Sequence, residues 1–206
     1  MQGLHSQAGF SLIELLVSMT IFTVVMTMAT STLLVLLDAN SKAQNMQAVM
    51  NDLTIAIDSM TREIRTGYNY VCNSGRAAVE ADTATNNCST GQPYISVVEA
   101  GDSLTQGLGS SRISYYYDSA DQVIYRRVGD GDGDGNTNED EDWIAITAPN
   151  INITATEFIV TDTTTGLTDG EQPSVTVFIT GEAGDLIEVD ADFLVQTTVV
   201  QRPLDI

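Results

Sequence analysis

The feature that most constrains this chain is an apolar run from Phe10 to Leu37 whose only charge is Glu14. At about 1.5 Å rise per residue, a helix over this run spans roughly 40 Å, more than the roughly 30 Å of a bilayer's hydrocarbon core. The run therefore predicts a membrane-spanning helix. A secretory signal peptide has a shorter apolar core, roughly 7 to 15 residues, with small residues after it at the cleavage site; here the small residues Ala8 and Gly9 come before it. Glu14 poses a question of its own, because a carboxylate at the middle of a membrane costs about 2.5 to 3.5 kcal/mol, and less near the surface.

No Pro or Gly interrupts residues 10–66, so one continuous helix is predicted, with residues 10–37 in the membrane and 38–66 in water. In the second half, Ala39, Ala43, Met46, Met50, Leu53, Ile57, Met60 and Ile64 recur at spacings of four and three, an apolar stripe on a water-exposed helix. The stripe needs a partner, either a second helix in a coiled coil or a sheet packed against it. Strand-like sequence follows directly and favours the sheet. Asp58 and Arg62 sit four apart on the polar side, and Gly67 marks a helix stop.

Beyond Gly67 the period becomes two. RISYYY (residues 112–117) and QVIYRRV (122–128) flank the turn residues DSAD and predict a hairpin. WIAIT (143–147), NITATEFIV (152–160), SVTVFIT (174–180) and EVDADFLVQTTVV (188–200) follow, with a Thr-rich loop at 161–170. No helical windows separate them, which predicts an antiparallel sheet and an α+β fold. The organisation read from sequence is a polar leader at 1–9, a long helix at 10–66 and a β-rich head at 67–206.

Charge and chemistry narrow the function. The net charge is −20, and from Gly67 onward five basic residues face 23 acidic ones. Direct nucleic-acid binding depends on clustered Lys and Arg and is not expected. The single histidine, His5, lies in the leader, and no phosphate-cradling glycine loop or nucleophile with a base is present, so no catalytic residue is assigned. Cys72 and Cys88, beyond the membrane helix, predict one disulfide, worth about 3 kcal/mol in the chain-entropy model; two free buried cysteines are the alternative.

The opening stretch GFSLIELLV (residues 9–17) resembles the processing site of type IV pilins and type II secretion pseudopilins: a polar leader ending in Gly, then Phe, then an apolar run with Glu at its fifth position. The resemblance implies a pilin-like fold, a long helix whose second half packs against an antiparallel head. It also implies cleavage between Gly9 and Phe10 by a prepilin peptidase, methylation of the new Phe10 amine, and storage in the inner membrane as a single-pass protein with its head outside the cytoplasm. Assembly machinery would then draw the subunit into a filament of pilin-like chains, extracellular or periplasmic, with Glu14 meeting a neighbour's Phe10 amine. The leader departs from the family in having no Lys or Arg, and residue 31 is Ser where many major pilins carry Pro. LTIAIDSMTREIRTG (53–67) resembles the helix end of minor subunits of the J or W type. A minor-pilin or pseudopilin role is thus expected, and a single-span anchor carrying a binding or adhesin head is the alternative.

A second constellation is DGDGDGNTNEDED (130–142). Asp130, Asp132, Asp134, Asn136, Asn138 and Glu141 fall at positions one, three, five, seven, nine and twelve of a calcium loop, with Gly135 at six. Strand-like sequence on both sides predicts a structural calcium ion in a sheet connection. The alternative is a solvated acidic loop.

Overall fold

The computed structural model describes residues 9–75, 85–101, 112–129, 143–149, 151–163, 172–185 and 188–202. A single helix, α1 (Leu12–Thr66), precedes the strands β1 (Tyr68–Asn73), β2 (Cys88–Gln92), β3 (Tyr94–Val98), β4 (Arg112–Asp118), β5 (Val123–Val128), β6 (Ile144–Ala145), β7 (Ile151–Thr161), β8 (Ser174–Asp185) and β9 (Glu188–Val200). Contacts divide the chain into two compact units, Met1–Gln44 and Asn45–Ile206.

In the first unit α1 is long and apolar enough to cross a membrane, and none of its apolar window is buried within the chain. Its hydroxyls are satisfied locally: Thr20, Thr23 and Thr27 donate to carbonyls three residues back, and Thr30 and Thr32 to carbonyls four back. A hydroxyl bonded to its own helix offers hydrocarbon no orphan polar group, which is how such residues are tolerated in a span.

In the second unit α1 buries Val49, Leu53, Ala56, Met60 and Ile64, with Met46 and Ile57 packed partly against the same core. A fully buried side chain of this size contributes about 1.5 to 3 kcal/mol. The partner is sheet, as the stripe required. The stripe itself shifts, because Val49 is buried where Met50 was expected and Met50 stays 40% exposed. Both positions satisfy helical spacing from Leu53, so spacing alone does not choose between them. Ala39 and Ala43, in the first unit, are exposed.

Gly67 ends the helix as expected, but for a different reason. Its φ is not left-handed; instead a Cβ there would lie 3.0 Å from the Val97 Cβ, so glycine is what lets the helix end approach β3. The last carbonyls of α1 are satisfied from the head. The Tyr70 hydroxyl lies 2.8 Å from the Ile64 oxygen, and the Arg202 amide donates to Arg65 at 2.8 Å.

The expected single sheet is two antiparallel sheets, β1-β3-β4-β5-β6 and β2-β7-β8-β9. The chain passes between them three times, β1 to β2, β2 to β3 and β6 to β7; at the second passage Gly91 takes a φ of 72° and Pro93 lacks a ladder donor. The predicted hairpin forms, with Tyr116 opposite Tyr125 and Asp118 opposite Val123. Its turn is set by Asp118, whose carboxylate accepts from the Ala120 amide at 2.7 Å. One core cluster joins residues of α1 and both sheets, among them Ile64, Val97, Tyr115, Phe158 and Val177. On the other face of the first sheet, Trp143 lies edge-on to Tyr94 and Tyr116 with centroids 6.1 and 6.2 Å away, and the Arg127 guanidinium sits 4.9 Å over its ring.

Candidate functional site

The first residues described lead into a helix. Gly9, Phe10 and Ser11 precede α1, and the amides of Glu14 and Leu15 turn back to the Ser11 carbonyl at 3.1 and 3.2 Å. Ser11 therefore holds the N-cap position and Glu14 the third helical position, the spacing of a capping box. A carboxylate in the first turn is favoured by the helix dipole, typically by 0.3 to 1 kcal/mol. Phe10 is 84% exposed, and a Cβ built on Gly9 would touch nothing within 4 Å. Packing among the described residues does not require glycine there.

Residues 4–30 match the model of the prokaryotic N-terminal methylation motif. This chain carries the type IV pilin and pseudopilin signal. No curated protein and no solved structure gives a match to the chain. Gly9 and Phe10, on either side of the expected cut, lie outside the helix. Glu14 lies in the first turn of α1.

Cys72 and Cys88 form a disulfide, across 16 positions of sequence. Its position has a consequence that sequence did not reveal: Cys72 lies in β1 and Cys88 in β2, so the bond staples one sheet to the other. Asn86 reinforces the junction, accepting from the Cys72 amide and donating to the Cys72 carbonyl, both at 2.8 Å.

The candidate calcium ligands Asp130, Asp132, Asp134, Asn136, Asn138 and Glu141 lie outside the described residues. The two ends of their segment are described. Tyr125 pairs with Ala145 and Arg126 with Ile144, so β5 and β6 are antiparallel neighbours, and the Gly129 amide donates to Arg112 at 2.8 Å. Among the described residues, no group of three or more His, Cys, Asp or Glu side chains is placed to hold a metal.

The strongest polar constellation in the head was missed from sequence. Glu63 on α1 accepts two bonds from the Arg126 guanidinium, at 2.6 and 2.9 Å, and a third from the Tyr115 hydroxyl. Burial first, and the Glu63 carboxylate second, push the Tyr115 phenol well above its ordinary range. The hydrogen bonds that Arg126 donates to Glu63 raise the Arg126 value in turn, which keeps the guanidinium charged. These residues are 52 and 63 positions from Glu63, and only the folded sheet brings them together. The predicted Asp58–Arg62 pair is present at 3.2 Å but exposed, worth a few tenths of a kcal/mol.

Proposed function

We propose that this chain is a pilin-like filament subunit, stored in the membrane through residues 10–37, cut after Gly9, methylated on Phe10 and assembled through α1. The observation that carries the proposal is the methylation motif at residues 4–30, set on an exposed Gly9–Phe10 bond ahead of an apolar helix. The role is structural rather than catalytic.

Glu14 then has a reason to exist. In lipid it sits near the interface, where its cost is low. In a filament the helices leave lipid for one another, and the positive Phe10 amine of a neighbour meets the carboxylate in a low-dielectric bundle. Breaking a buried pair of this kind costs about 3 to 5 kcal/mol, so a subunit out of register is rejected. Ser31 and the helix end at residues 53–67 support a minor-pilin or pseudopilin position, with the head outside the cytoplasm and other pilin-like chains as neighbours.

The test is Glu14→Ala in the chain's own cells. Membrane insertion and Gly9 cleavage should persist while incorporation into filaments falls at least tenfold. Normal incorporation would refute the assembly role and favour a single-span anchor with a binding head.

We further propose a structural calcium ion held by Asp130, Asp132, Asp134, Asn136, Asn138 and Glu141. The neighbouring β5 and β6 support it, because strands already paired carry the closure entropy that a free acidic loop would have to lose on binding.

A further inference from the structure

The outer face of the second sheet has the composition of a surface meant to be covered. On the face turned away from the core, β7, β8 and β9 present Ile159, Phe178, Leu194 and Val200 among threonines. Leu194 is 68% exposed and Val200 49%. Ala155, Ile159, Phe178, Thr180 and Leu194, with Glu157 at the rim, line a depression of about 320 Å³. A second depression shares Thr180 and Leu194 and runs to Glu182 and Asp192.

Among the described residues, the charges of this face are all of one sign. Glu182 stands directly opposite Asp192 in the β8–β9 register, an arrangement of like charges that destabilises a strand pair unless a cation lies between them. Glu157 closes the other side. Among the described residues of the second unit, the chain has little to neutralise them. Arg112 and Arg127 are buried, Arg126 is tied to Glu63, and Arg62 is paired with Asp58, which leaves Arg65 and Arg202 exposed near the end of α1. The single lysine, Lys42, lies in the other unit beside Asp38. Two copies of a chain of net charge −20 also repel one another.

We propose that this face docks a different protein chain, one that places an apolar side chain against Phe178 and Leu194 and Lys or Arg residues against Glu157 and the Glu182–Asp192 pair. The inference rests on the subunit reading above and adds to it the chemistry of the neighbour: a more basic chain, not a second copy. Carboxylates framing an apolar centre give the pairing its register and its selectivity, because an acidic partner is repelled before it makes apolar contact.

The experiment replaces Leu194 by the photoreactive residue p-benzoylphenylalanine in the full chain, in its own cells, and maps the crosslinked peptide after irradiation. The expected result is a link to another chain at a segment holding an apolar residue beside Lys or Arg. Combining the probe with Glu157→Lys and Glu182→Lys should lower the yield about tenfold or more with the melting temperature kept. The shape-preserving pair Glu157→Gln and Glu182→Gln should lower it in the same direction, which guards against a folding defect. A link to a second copy, a link to a segment without a basic residue, a yield indifferent to the charge changes, or silence in processed and assembled filaments would each overturn the proposal. An unprocessed or unassembled wild-type chain would instead bring down the subunit reading, and this inference with it.

Discussion

Glu63→Ala removes a carboxylate that ties α1 to β4 and β5. Two of its three bonds come from Arg126 and one from Tyr115. Hydrogen bonds to charged groups are worth about 1.5 to 3 kcal/mol each, but the two ion-paired side chains keep 26% and 23% of their surface, so water re-solvates much of what the mutation frees. The Tyr115 hydroxyl is the part that cannot recover, since the residue is 1% exposed and a buried orphan polar group costs about 1 to 3 kcal/mol. The net expectation is a loss of about 2 to 3 kcal/mol, below the roughly 3 to 5 kcal/mol of a fully buried pair. Urea unfolding of the full chain in detergent micelles, followed by fluorescence of Trp143, measures it. That residue is the single tryptophan and is 6% exposed. Pairing Glu63→Leu with Arg126→Met should recover at least about 1 kcal/mol relative to the summed single changes. A Glu63→Ala loss under about 0.5 kcal/mol, or strict additivity in the double variant, would refute the reasoning.

Three further outcomes are expected. Gly181→Ala places a Cβ 2.6 Å from both the Asn152 carbonyl and the Phe193 ring, so it should lower stability by about 1 to 3 kcal/mol in the same urea assay, whereas Gly9→Ala should leave stability unchanged. Burial raises the folded-state values of Tyr70 and Tyr115 above the unfolded value near 10. Between about pH 10 and their folded values only the unfolded chain loses these protons, so each should erode stability by about 1.4 kcal/mol per pH unit as pH rises. Urea midpoints between pH 9 and 11, with Tyr115→Phe flattening the slope, read this out. Calcium should raise the melting temperature of the full chain and a chelator should reverse the gain, because a ligand held only by the folded state stabilises by mass action. An unchanged midpoint would sink the calcium site.

Sequence carried the helix and the later strands because their patterns are long and regular. The far end of α1, the hairpin at 112–128 and the whole of β9 follow from the helix stop, periodicity and turn residues, whereas α1 starts at Leu12, two residues after the expected Phe10. β3 escaped for a physical reason: all five residues of YISVV are buried, since its sheet is covered on both faces, and without alternation a short apolar run gives no period. β1 and β2 are short and lie on either side of the disulfide loop, and the division into two sheets was also illegible, because strand spacing does not say which strands pair. At the proposed processing site, Gly9, Phe10 and Glu14 could be singled out because they fall within six consecutive residues, the first two just ahead of α1 and Glu14 in its first turn. Glu63, Arg126 and Tyr115 were not, because three separate elements must converge before their chemistry exists.

The central claim concerns what happens at Gly9, and the intact mass and amino-terminal sequence of the protein recovered from its own cells test it most directly. The account predicts a chain that begins at Phe10, heavier by one methyl group and lighter by the two hydrogens of the Cys72–Cys88 bond. An unprocessed chain still carrying residues 1–9, or a cut beyond Leu37, would contradict it.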